Sequence, residues 1–215
     1  QKKSARSGAF TDNMSLPIHR WFRYSAGFSA DWVSQTLRER HFSENEVVFD
    51  PFAGSGTTLL AAQCVGVPAF GAESHPFVER IANTKLGWQS VDSDVFLDLA
   101  YALHGAALKA NTDTLWECAG LLEKCYTPEA LTRLFALRDI FISDFSDRGE
   151  YSDLLWLAIT AILRECSGVG TAQWQYVLPN KTKAKVLDPF AAFLKRAKMF
   201  YADIRQAQNS YLGSE

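Results

Sequence analysis

The stretch Val47-Val48-Phe49-Asp50-Pro51-Phe52-Ala53-Gly54-Ser55-Gly56-Thr57-Thr58 decides the reading of this chain. Its apolar start, stopped by an acid and a proline, predicts a short buried strand over 46–50. Gly54 and Gly56 then let the backbone turn sharply and let a ligand approach closer than a Cβ would permit. Residues 57–65 are compactly apolar and are followed by Gly66, which predicts a helix. Its first turn, from Ser55 to Thr58, aims free N–H groups at whatever the loop holds. Working outward, 67–73 reads as a second strand ending at Glu73, and 76–86 as a second helix with Pro76 in its first turn. Strand, glycine loop, helix, strand, helix is the opening of a doubly wound parallel sheet, which binds ligands at the carboxyl ends of its strands.

Glu73 lies 19 positions after Gly54. A carboxylate at that place can accept hydrogen bonds from both hydroxyls of a ribose, so glycine turn and acid together predict a nucleoside cofactor. A dinucleotide fingerprint asks for a third glycine, and Leu59 stands there instead. The phosphate-cradling P-loop asks for a lysine after its last glycine, and none follows Gly56. An NAD-dependent dehydrogenase is therefore disfavoured.

Upstream, 18–24 (IHRWFRY) packs aromatics between cations, and Ser29 predicts an N-cap for a helix to Arg40 with Trp32, Val33 and Leu37 on one face. Downstream the character changes. Residues 96–109, 128–145 and 151–166 all read as helices with no strand between them, the second opened by Thr127, Pro128 and Glu129. A link rich in glycine over 167–176 carries Trp174 and Tyr176, and a last amphipathic helix runs from Asp188-Pro189 towards Gln206. The expected divisions are a flexible arm over 1–16, a cofactor-binding α/β part over 17–90, a helical insertion over 91–166, and over 167–215 the link and a basic helix.

The 215 residues carry a formal net charge of −2, with 47% apolar and 21% charged side chains, enough to bury a core. No run of roughly 20 apolar residues is present to span a membrane, and no apolar signal core follows Lys2, Lys3 and Arg6. The expected location is the cytoplasm. The chain starts on Gln1 and reads as a piece of a longer one. Charge is unevenly spread: 84–165 carries 7 basic and 13 acidic residues, whereas 181–198 carries 6 basic and 1 acidic. Lys181, Lys183 and Lys185, beside the link and its aromatics, are candidate phosphate contacts. Arg20, Trp21, Arg23 and Tyr24 also interleave cations with aromatics, but fit a core or a cofactor closure better. Cys64, Cys118, Cys125 and Cys166 form no C-x-x-C pair and no cluster with the four histidines, so buried reduced thiols are expected and no metal.

Asp50-Pro51-Phe52-Ala53-Gly54-Ser55-Gly56-Thr57-Thr58 resembles motif I of the S-adenosylmethionine-dependent DNA methyltransferases that modify exocyclic amino groups, N6 of adenine or N4 of cytosine. Residues 18–33 (IHRWFRYSAGFSADWV) resemble the segment before that motif in bacterial site-specific enzymes, and WQYVLPNK over 174–181 is similar to a later segment of them. The resemblance implies S-adenosyl-L-methionine as cofactor and a partial Rossmann-like sheet with a large helical insertion. It implies that Phe52, Ala53, Gly54, Ser55 and Gly56 wrap the methionine end, with Asp50, Pro51, Thr57 and Thr58 flanking, and that Glu73 holds the ribose. Ser74, His75 and Pro76 would border the adenine, Pro76 or Phe77 lying on its face. Tyr24 and Phe28, in a segment resembling motif X, would close the methionine pocket; as core aromatics they fit equally well. DNA is the implied partner, in a prokaryotic restriction–modification or other defence setting.

Amino-methylating enzymes of this kind carry a [DNS]-P-P-[YFW] motif that holds the target amino group and stacks on the flipped base. All seven prolines here are isolated, so no catalytic residue is assigned. The expectation is that the catalytic half lies beyond Glu215 or on a partner subunit, and that this chain alone is inactive. Two alternatives stay open: RNA as substrate, and a non-catalytic cofactor- or DNA-binding subunit that supports a separate catalytic chain.

Overall fold

The computed structural model describes residues 10–24, 27–40, 42–43, 46–110, 120–170 and 183–212. Lys181, Trp174, Tyr176 and Cys118 lie outside the described residues. The fold is α/β, mostly helical around a small parallel strand pair, and it divides into one unit of residues 1–91 and 203–215 and a second of residues 92–202.

In the first unit, α1 (Ala30–Glu39) precedes β1 (Val48–Asp50), α2 (Thr57–Val65), β2 (Ala69–Gly71) and α3 (Pro76–Leu86). The strands pair in parallel with Val48 opposite Ala69, Phe49 opposite Phe70 and Asp50 opposite Gly71. Both are shorter than the sequence reading has them, because only Val48–Asp50 and Ala69–Gly71 find ladder partners among the described residues. Ser29 caps α1 by accepting a hydrogen bond from the Trp32 N–H at 3.4 Å. Val33 and Leu37 pack on Ala61 and Ala62 of α2, with Val48 and Ala69 against the same cluster. Small residues on α2 let α1 and the strands approach closely. Trp32 departs from expectation: it is half exposed and tilts against Phe28, because adjacent helical positions point about 100° apart.

Residues 10–15, inside the expected flexible arm, form a 3₁₀ turn with Asn13 fully buried. The Asn13 amide donates to the Phe28 carbonyl and its oxygen accepts from the Ala30 N–H, both at 2.8 Å, which ties this turn to the start of α1. A second 3₁₀ turn, His19–Trp21, is anchored by Asp203.

The regular elements of the second unit, among its described residues, are helices: α4 (Ser93–Lys109), α5 (Gly120–Cys125), α6 (Pro128–Ile140), α7 (Glu150–Cys166) and residues 189–202 of α8 (Pro189–Leu212). Thr127 caps α6 as the sequence reading has it, whereas α4 starts three residues earlier than expected, at Ser93, behind an Asp92 cap. Asp92 accepts from Asp94 and Val95 N–H groups, and Thr127 from the Ala130 N–H at 3.2 Å. Phe96, Leu103, Leu137, Leu155, Leu157, Ile162, Phe193 and Phe200 are buried. The expected helix over 128–145 becomes α6 and then a π turn at Phe141–Phe145 that keeps Phe141 and Phe145 both inside. The short α5, which buries no side chain, carries no periodic signal in the sequence. No helix among the described residues is long and apolar enough to cross a membrane.

Candidate cofactor-binding site

Everything that marks the site sits at the carboxyl end of β1 and β2. Asp50 is buried, and its Oδ1 accepts the Phe52 N–H at 3.0 Å, an Asx turn that starts the loop. The Ala53 N–H donates to the Ala72 carbonyl and the Ala72 N–H to the Asp50 carbonyl, both at 2.9 Å, so the loop is held to the end of β2. Gly54 and Gly56 have φ of 53° and 81°, left-handed conformations that side chains rarely adopt. A Cβ on Gly54 would lie 3.0 Å from Cε1 of Tyr24, which places the Tyr24 ring against the loop.

The expected site residues fall into two groups. Ala53, Gly54, Ser55, Gly56 and Thr57 are buried in the loop and the first turn of α2, and Thr58 is half-buried. Glu73 is half-buried and reaches back to the loop: Oε2 accepts the Gly54 N–H at 3.0 Å, Oε1 the His75 N–H at 2.9 Å. His75 caps α3 through Nδ1, which accepts the Phe77 N–H at 3.2 Å. The Phe77 ring meets His75 and Phe22 edge-on. Pro51, Phe52, Ser74 and Pro76 are exposed, Phe52 at 83%. Phe28 is exposed and packs on Trp32, whereas Tyr24 lies on Gly54; the structure thus brings one of these two aromatics to the loop by a recorded contact.

The Ser55 hydroxyl fits a bound group. It is buried, yet it has no hydrogen-bond partner among the described residues. An orphaned hydroxyl costs free energy unless a ligand or water satisfies it. The loop therefore offers a partnerless hydroxyl, two glycines without side chains and a carboxylate with acceptor capacity to spare.

Gly71 was not singled out by the sequence, although a glycine inside a strand signals close approach. A Cβ there would sit 2.8 Å from Ala53 Cβ and 2.9 Å from Leu59 Cδ1. The close helix–strand packing that a third loop glycine provides elsewhere is obtained here by Gly71, which makes room for Leu59. Gly71→Ala is expected to cost about 1–3 kcal/mol through overpacking, read by chemical denaturation.

The candidate phosphate contacts divide differently. Lys183 Nζ donates to the Arg164 and Ser167 carbonyls, the latter at 3.1 Å, so it caps the end of α7. Lys185 is exposed. Arg20 is held by Asp203 and Trp21 is fully buried, as the core reading has them; Arg23 is exposed. Cys166 is buried, and burial with the neighbouring Glu165 pushes its thiol up to about 12, whereas Cys64 is exposed rather than buried. No group of three or more His, Cys, Asp or Glu that could hold a metal occurs among the described residues.

The family model for DNA methylases of the N6/N4 type matches residues 12–84, the segment that contains the loop, Tyr24 and Glu73. The Type II methyltransferase M.BsoBI of Geobacillus stearothermophilus is 37% identical over 194 residues, 88% of this chain and 37% of that protein. The Type II methyltransferase M.AvaI of Nostoc sp. is 39% identical over 77 residues, 36% of this chain and 16% of its own length. M.MjaII of Methanocaldococcus jannaschii, also a Type II methyltransferase, is 36% identical over 69 residues, 32% of this chain and 13% of its own. This chain therefore spans well under half the length of the curated relatives it matches. No solved structure matches it significantly. Through residues 12–84, the chain belongs to the DNA amino-methyltransferases of the N6/N4 type.

Proposed function

We propose that this chain is the S-adenosylmethionine-binding portion of a site-specific DNA methyltransferase that transfers a methyl group to an exocyclic amino group of adenine or cytosine. The observation that carries the reading is the buried, partnerless Ser55 hydroxyl in a glycine loop whose backbone is tied to Glu73. Charge supports this cofactor over a dinucleotide. Asp50 and Glu73 are the only acidic side chains of residues 50–58 and 73–77, with no lysine or arginine among them. Two carboxylates suit a sulfonium cation and repel a pyrophosphate. The bound cofactor supplies an electrophilic methyl group; the loop and Glu73 orient it, and Tyr24 limits water on the loop side. Positioning of this kind supplies much of the acceleration of a group transfer.

The acceptor amino group has no assigned partner here, because the chain contains no Pro-Pro-aromatic motif. We assign that motif to residues outside these 215. The strand pair supports a larger, Rossmann-like sheet. Phe49 and Phe70, opposite one another in register, are each 63% exposed on the face turned away from the α1–α2 cluster. Parallel sheets are normally covered on both faces, so this face fits the packing surface of further elements.

Calorimetric titration of the chain with S-adenosylmethionine, run beside NADH, tests the reading. Binding of the methyl donor alone is expected, with Ser55→Ala weakening it by about 1 kcal/mol for the lost hydrogen bond. NADH binding alone would reverse the assignment of the pocket.

A further inference from the structure

The Gly54 N–H is buried in the loop, and its recorded acceptor is Glu73 Oε2. The other carboxylate oxygen takes the His75 N–H, and His75 in turn caps α3. One side chain thus joins the loop after β1 to the turn after β2, with Gly54 at a φ of 53° beneath the Tyr24 ring. An ionised carboxylate has about four acceptor positions. Two are occupied by these N–H groups, so two remain for the hydroxyls of a ligand.

We propose that Glu73 is a positioning residue for the glycine loop: through the Gly54 N–H it holds the loop in the conformation that binds the nucleoside, in addition to bonding the ribose directly. This rests on the reading of the loop as a nucleoside pocket, but the clamp itself is made between protein groups alone. The two roles are compatible because they use different lone pairs. Without the carboxylate the buried Gly54 N–H loses its acceptor, and the peptide keeps only the bond from the Gly56 N–H to the Ala53 carbonyl at 2.9 Å. Glu73 therefore sets affinity for ligands that its carboxylate never touches.

The first arm of the test needs no ligand. Amide hydrogen exchange of Gly54, followed by NMR in the 215-residue chain, is expected to quicken about tenfold or more in Glu73→Ala. Glu73→Gln keeps one acceptor oxygen and should restore much of the protection. The Leu60 N–H, bonded to the Gly56 carbonyl inside α2, reports whether each variant is folded. Unchanged Gly54 exchange in a folded Glu73→Ala chain would overturn the clamp.

The second arm compares S-adenosylhomocysteine with its 2′,3′-dideoxy analogue as probes. If Glu73 acted through the ribose alone, Glu73→Ala would leave the affinity of the dideoxy analogue unchanged, and that result would also overturn the proposal. The clamp instead requires the dideoxy analogue to weaken as well, by about tenfold. Should the wild-type chain bind neither probe, the nucleoside reading fails, and the Gly54 exchange result then decides the clamp by itself.

Discussion

Asp203→Ala is expected to lower the stability of the chain by about 3–5 kcal/mol, the range for breaking one side of a buried, hydrogen-bonded ion pair. Asp203 is completely buried on α8 and gathers four donors from the N-terminal segment: the Ile18 N–H, Nε and Nη2 of Arg20, and Nε1 of Trp21. Trp21 is itself fully buried, so its indole N–H has no access to water if the carboxylate is removed. Ile18 sits at a φ of 64°, costly for a β-branched residue, and its N–H is held on Asp203 Oδ2 at 3.1 Å. Removing the carboxylate takes this acceptor from three groups and releases the strain that it over-determines. Urea denaturation with tryptophan fluorescence measures the loss. Asp203→Asn, which keeps one acceptor oxygen, should lose less; a loss below about 1 kcal/mol for Asp203→Ala would show that these bonds contribute little net stability.

Lys85→Met is expected to stabilise the protein by about 2–4 kcal/mol near pH 6, an unusual sign for a core substitution. Lys85 is buried on α3, where Nζ donates to the His19 carbonyl at 3.2 Å. Burial lowers its pKa from 10.5 to about 7. The neighbouring His19 is also lowered, to about 4, first by burial and then by the Lys85 charge. Between pH 7 and 10.5 the unfolded chain holds a proton on Lys85 that the folded chain has released. The stability of the wild type therefore rises with pH across that window. Below pH 7 the full penalty for a buried ammonium is present, and methionine removes it at the cost of one hydrogen bond. The gain should shrink steadily from pH 7 to 10. A gain that does not change with pH would mean that Lys85 titrates normally. Without the Lys85 charge, His19 is also expected to titrate higher than about 4, seen by NMR.

The element order of the first unit was legible because it is local. The DPFAGSGTT run places a strand end, two turn glycines and a helix start within nine consecutive residues, and each of these follows from neighbouring residues. Ser29 and Thr127 are legible for the same reason: each cap and the N–H it satisfies are three positions apart. Trp32 was misplaced because a helix with one exposed aromatic beside a buried valine has the same composition as one with both inside. Lys183 looked like a phosphate contact because charge runs do not show which carbonyls a lysine will meet.

Sequence alone determined the order of elements around the loop, the glycine positions that the turn requires and the acid that faces it, since these depend on φ, capping and spacing along one stretch of chain. Tertiary structure alone decided the rest. Asn13 bonds residues 15 and 17 positions away, and Asp203 bonds residues more than 180 away. Gly71 makes room for a side chain 12 residues earlier in the sequence. Whether Ser55 lacks a partner, and whether Glu73 also holds Gly54, depends on where two strands end beside each other. Pairing across the sheet brings those atoms together, and no periodicity along the chain encodes that distance.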